Sequence, residues 1–119
     1  MFNFEKLDTW NDAIAFADIV YRLTRDFPPE ERFGLTNQMR RAAVSISSNL
    51  AAGCSRSSKT DYSRFLRIAT GSVFEVVSQA TIGRNQGFLR PADHDQLYRA
   101  ADKQSRMLSG LRKSLEQAP

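Results

Sequence analysis

The chain has one cysteine, one histidine and one tryptophan among its 119 residues. A lone Cys54 excludes an internal disulfide and makes the cytoplasm the default compartment. The single imidazole, His94, leaves hydrolytic and metal-ligating constellations short of partners. It stands between Asp93 and Asp95, but acids opening a helix already have a structural reason to be there, so no metal site is expected. Cys54 has no adjacent histidine and reads as a free surface thiol in an Arg- and Lys-containing turn. No apolar run is long enough to span a bilayer, and Met1-Phe2-Asn3-Phe4-Glu5 lacks the basic start and apolar middle of a signal peptide. No β-branched run alternates with period two between turn residues, so no strand is expected. Gly53, Gly71 and Gly83 match neither a Walker nor a dinucleotide pattern, and Gly71-Ser72 reads as a close-packing point inside a helix. Glu30-Glu31 lie between helices without a partner acid. No cofactor and no enzymatic activity are expected.

What is present is helical periodicity and positive charge. Apolar content of 41% and charged content of 25% are ordinary for a soluble domain, and the length suits one domain over residues 1–119. The net charge is +4, with a pI of about 9.6. That balance is compatible with an anionic partner but does not require one.

Four helices are predicted. The first starts at Asp8 or Thr9, either of which can cap it, and buries Trp10, Ala13, Ile14, Ala17, Val20, Tyr21 and Thr24. Phe27-Pro28-Pro29 ends it. The second runs from Gly34-Leu35, with Leu35, Met39, Ala42, Ala43, Ile46 and Leu50 inward and Gly53 as a left-handed C-terminal cap. The short turn Cys54 to Lys59 forces the third helix back antiparallel, capped by Ser58 or Thr60. That helix buries Tyr62, Phe65, Leu66, Ala69, Val73, Val76, Val77 and Ala80, and Gly83 and Gly87 punctuate its end. The fourth opens at Pro91 with Leu97, Ala101, Gln104, Leu108, Leu111 and Leu115 inward. The expected fold is an all-α, up-down-up-down antiparallel four-helix bundle.

Some apolar residues fall off these stripes. Phe74 and Ile82 share an outer face of the third helix with Thr70 beside them, Val44 falls opposite the core of the second, and Phe16, Ile19 and Leu23 widen the arc of the first. Scattered surface hydrophobes are normal. The sharper reading is a subunit interface on Phe16, Ile19, Leu23, Val44, Thr70, Phe74 and Ile82, hence a homo-oligomer.

Arg99, Lys103, Arg106 and Lys113 share one arc of the fourth helix, and Arg56, Lys59, Arg64 and Arg67 cluster near the hairpin, with Arg40 and Arg41 on the second helix. A solvated face is the plain explanation. The functional one is a surface for RNA or DNA phosphates, backbone-directed and salt-sensitive, because no base-reading motif is visible. Docking of another protein is the alternative. Ser45, Asn49 and Ser72, at the margins of the inner faces, read as structural. Arg41 and Glu75 lie at comparable distances from the hairpin, so a salt bridge within or between subunits is expected to set register.

The motifs Leu7-x-x-Trp10 with Ala13, Tyr21, Phe27-Pro28-x-x-Glu31, Gly34-Leu35-x-x-Gln38-x-Arg40-Arg41-Ala42-Ala43-x-Ser45-Ile46-x-x-Asn49, Phe65-Leu66-x-Ile68-Ala69-x-Gly71-Ser72 and Glu75 cover most of the chain. Together they resemble the four helix bundle protein family, also known as the ribosomal RNA intervening-sequence protein family of bacteria. The accessory variability protein of diversity-generating retroelements is similar. The resemblance implies a four-helix bundle assembling as a homopentameric ring. It also implies nucleic-acid association through basic surfaces for some relatives, and no known catalysis. Ala52 departs from the pattern, which places a glutamate before Gly53.

Overall fold

Residues 1–117 are described by a computed structural model. Among them there is no strand, and four helices follow one another: α1 (Asp8–Thr24), α2 (Leu35–Cys54), α3 (Lys59–Asn85) and α4 (Pro91–Gln117). Short 3-10 turns over Asn3–Lys6 and Pro29–Glu31 precede α1 and α2.

The helix ends show how the sequence starts and stops each element. Neither Asp8 nor Thr9 caps α1: the capping position is Leu7, which makes no side-chain cap. Asp8 instead lies in the first turn, favourable to the dipole, and Asn11 Nδ2 holds the carbonyls of Leu7 and Glu5 at 2.9 and 3.0 Å. The α2 start is capped from outside the helix. Glu31 Oε1 accepts the Leu35 N–H at 3.0 Å, and a Cβ on Gly34 would stand 3.0 Å from that same oxygen. Thus Glu31 and Gly34 form one device, and Glu31 finds its explanation in a helix terminus. Ser58 Oγ caps α3 by accepting the Asp61 N–H at 3.0 Å. After α3, Gly87 takes φ +79°, and the Phe88 N–H reaches back to the Gly83 carbonyl at 2.8 Å.

Gly53 does not take a left-handed conformation: it lies buried inside α2, and Ser55 follows the helix. A Cβ there would meet Tyr62 Cδ1 at 3.1 Å and Phe65 Cβ at 3.2 Å, so the glycine serves close approach of α2 and α3. Gly71 is the reverse case. It is exposed, and an added Cβ would meet nothing within 4 Å, so no close packing within the chain explains it.

The helices pack in cyclic order, α1 on α2, α2 on α3, α3 on α4 and α4 on α1, in a body 49 × 22 × 22 Å. Phe16, Met39, Ile46, Leu50, Leu66, Leu97 and Leu108 lie fully inside, each such burial contributing roughly 1.5–3 kcal/mol. Phe16 is therefore core and not subunit interface, a correction to the expected face of α1. Ile19 and Leu23 are half-buried against the same core. Ile14 and Tyr21, expected inside, are exposed. The inward stripe of α1 is Thr9, Ala13, Phe16, Val20 and Thr24, and Thr24 is tolerated there because its hydroxyl donates to the Val20 carbonyl at 2.8 Å. Gln104, fully buried, ties α4 to α1: its Nε2 lies 2.6 Å from Asp12 Oδ2 and 3.3 Å from the Thr9 carbonyl.

Candidate functional site

The ten cations expected to face nucleic acid do not form one ridge. Tertiary placement divides them. Arg40 is structural. Its Nε donates to Thr24 Oγ1 at 2.9 Å and its guanidinium lies 4.7 Å from the Tyr21 ring centroid, clamping the end of α1 to the start of α2. Arg56 and Arg64 share Asp61, at 3.7 and 3.0 Å, and each stacks 4.7 Å from the Phe65 centroid. On α4, Lys103 pairs with Asp12 of α1 at 3.1 Å and Arg106 with Asp102 at 3.1 Å. Such exposed pairs contribute about 0–1 kcal/mol each, but they cancel charge locally.

Arg41, Arg67, Arg99 and Lys113 are exposed and, among the described residues, have no acidic partner within 4 Å. Arg67 lines a recess of about 320 Å³ where the first turns of α3 meet the end of α4, with Lys59, Thr60 and Ser63 beside it and Leu115 and Glu116 opposite. Arg41 stands on α2 beside Val44 in a shallow recess with Tyr21 and Ser48. The expected Arg41–Glu75 bridge does not form within the chain, and both side chains are exposed.

Of the outer apolar residues, Val44, Phe74 and Ile82 are exposed as expected, Phe74 by 65%. Thr70 is half-buried and its hydroxyl donates back to the Leu66 carbonyl at 2.9 Å. Sequence reasoning also missed the exposure of Ile14, Tyr21, Phe33, Ile68 and Tyr98. Tyr98 faces Phe74 across a recess of about 400 Å³ between α3 and α4. Its position outside the Leu97, Ala101, Leu108 stripe was the available signal.

The polar groups between helices are mutually engaged. Asn49 Nδ2 donates to the Ser45 carbonyl at 2.7 Å and to Ser45 Oγ at 3.0 Å, and Ser72 Oγ lies 3.0 Å from Ser45 Oγ. This ties α2 to α3, the structural role read from the sequence. His94 is buried, its Nδ1 3.4 Å from an Arg84 guanidinium nitrogen and its Nε2 3.4 Å from Thr81 Oγ1. Arginine only donates, so Nδ1 is the acceptor, and in the neutral ring Nε2–H points at Thr81. Cys54 is half-buried with its Sγ 3.2 Å from the Tyr62 hydroxyl. Burial first, and then that hydrogen bond, push the Tyr62 phenol well above the ordinary tyrosine range. Among the described residues no three His, Cys, Asp or Glu side chains converge as metal ligands, and no helix is long and apolar enough to cross a membrane.

The model of a family described as 23S rRNA-intervening sequence protein matches residues 5–110. A crystal structure described as that of a protein with unknown function from the S23 ribosomal protein family of Bacteroides thetaiotaomicron superposes with a TM-score of 0.78 at 16% identity, covering 88% of this chain and 98% of that one. At that identity the likeness concerns the fold. No curated protein is significantly similar to this chain.

Proposed function

Because this chain belongs to the 23S rRNA-intervening sequence protein family, we propose that it is a non-enzymatic, self-associating helical protein that holds nucleic-acid backbone as an accessory factor in the cytoplasm. The observation that carries this reading is the set of exposed cations that have no acidic partner among the described residues and lie off the Val44 face: Arg67, Arg99 and Lys113. Unpaired cations meet phosphates without first breaking a salt bridge, whereas Arg56, Arg64, Lys103 and Arg106 are already engaged. Up-down-up-down topology is supported by side-chain contacts that join the end of α1 to the start of α2 (Thr24–Arg40) and the end of α3 to the start of α4 (Thr81–His94). We take the assembly to be the ring of five that the family resemblance implies, so that each copy's modest contacts add through avidity.

The test is a titration of labelled single-stranded RNA and DNA between 50 and 200 mM salt. Affinity should fall with salt at a slope of roughly −0.7 per phosphate neutralised. Reversing Arg67 and Arg99 to Glu removes two contacts per copy and should flatten the slope by roughly 1.4 for each copy engaged. Affinity indifferent to salt, or to these reversals, would refute the phosphate-binding reading. The pairing of Lys103 and Arg106 with acids favours a second reading, a ring that docks another protein while its charge serves solubility. Under that reading the reversals alter solubility alone.

A further inference from the structure

Two faces of the bundle complement one another. The recess between α3 and α4 has an apolar floor of Val73, Val77 and Ala101, with Phe74 and Tyr98 standing on either side. Both aromatics are more than half exposed. The single charged residue lining that recess is Asp102. The α1/α2 face carries the opposite charge. Arg40 and Arg41 are the charged residues around Val44, and no acid lines that surface. Arg40 is committed to Thr24 and Tyr21, which leaves Arg41 without a partner three residues before exposed Val44. Residues three apart share a helix face, so Arg41 and Val44 form one crest.

The cyclic packing order puts the α1/α2 face on the side of the bundle away from the α3/α4 groove. One copy can therefore offer its crest to a neighbour and its groove to another neighbour at once. We propose that the α2 crest of one copy docks in the α3/α4 groove of the next, with Val44 between Phe74 and Tyr98 and Arg41 against Asp102. This rests on the self-association reading and names the surfaces that mate. The occupant is a second copy because the charge that the groove asks for and the charge that the crest leaves unpaired belong to the same chain. Asp102 already touches Arg106, but that pair is an exposed i,i+4 contact, 3.1 Å long with Arg106 79% exposed, and is easily shared. The contact is head-to-tail, so repetition closes a ring or extends a filament.

Two measurements test the proposal on the full chain. In a Cys54→Ser background, Val44→Cys and Phe74→Cys are made singly and together, then treated with a short bismaleimide. Neither single variant should couple to itself, an equal mixture should give dimers, and the double variant should give a ladder. In parallel, Arg41→Asp and Asp102→Arg should each raise the dissociation midpoint about tenfold, and the double exchange should restore it. A single cysteine variant that couples to itself would overturn the head-to-tail arrangement. An oligomer that neither cross-links across these positions nor responds to the exchange overturns the proposal while leaving self-association standing. A monomeric wild-type chain overturns both.

Discussion

Replacing Gly71 or Gly110 with alanine should stabilise the protein. Both glycines lie inside long helices, α3 and α4, on exposed positions where a Cβ would meet nothing within 4 Å. Glycine in an exposed helix interior is about 1 kcal/mol less favourable than alanine, in part because the unfolded chain has more freedom to lose. No steric term opposes that gain here, so each substitution should add about 0.5–1 kcal/mol. For a chain of this length that is a rise of roughly 2–5 °C in Tm, measurable by far-ultraviolet circular dichroism and confirmed by the urea midpoint.

Gly53 and Gly87 supply the contrast. Gly87 holds φ +79°, where a side chain costs about 1–2 kcal/mol, so Gly87→Ala should lower Tm although the space around it is open. Gly53→Ala gains the same helix propensity but places its methyl 3.1–3.3 Å from Tyr62 and Phe65. Overpacking of that kind costs typically 1–3 kcal/mol, and the net effect should be destabilising. Had Gly53 been the left-handed cap its sequence position suggested, packing would be irrelevant, and Gly53→Ala in a Tyr62→Ala, Phe65→Ala background would remain as costly. The structure instead expects the penalty to vanish in that background. A loss of stability on Gly110→Ala would refute the placement of α4. A loss on Gly71→Ala that grows with protein concentration would mean that this part of α3 is covered by a second copy.

The α2 start offers a second test: Glu31→Ala should cost about 1 kcal/mol by removing the acceptor for the Leu35 N–H, and hydrogen exchange should quicken in the first turn of α2 while α3 is unchanged. Leu66→Ala or Leu97→Ala, each at a position about 1% exposed, should cost about 2–5 kcal/mol in urea unfolding; a value below 1 kcal/mol would contradict the core assignment. Tyr62 predicts an alkaline effect. Its phenol is raised in the folded chain, so the stability it confers is intact below the unfolded value of about 10 and is lost as pH climbs above it, because the unfolded chain releases the proton first. Tyr62→Phe should remove that part of the alkaline slope, and an unchanged slope would contradict the Cys54–Tyr62 environment.

How legible the fold was in the sequence depends on which side-chain property set each position. Helices α2 and α4 followed apolar spacing closely, because Leu35, Met39, Ile46 and Leu50, then Leu97, Ala101 and Leu108, are the residues buried. In α1 the stripe was read partly: Ala13, Val20 and Thr24 are buried as expected, but Ile14 and Tyr21, which look like core by hydropathy, are exposed, and Thr9 and Phe16 take inward places. Thr24 can stay inside because its hydroxyl bonds its own helix, which leaves little polar penalty. Phe16 then follows its true stripe inward. Charge was legible only where partners are local. Asp102–Arg106, an i,i+4 pair, can be read from spacing, whereas Lys103–Asp12 joins residues from opposite ends of the chain. The difference bears directly on function. Counting cations treats Lys103 and Arg99 alike, yet one is held by a carboxylate and the other is not. Once Arg41 is given to the subunit contact, the cations left unpaired among the described residues, Arg67, Arg99 and Lys113, span two helices with no shared sequence motif. Any phosphate-binding surface built from them must therefore be a property of the assembled bundle, and a chain that keeps every cation but loses its tertiary packing should bind nucleic acid no better than a random polycation of the same charge.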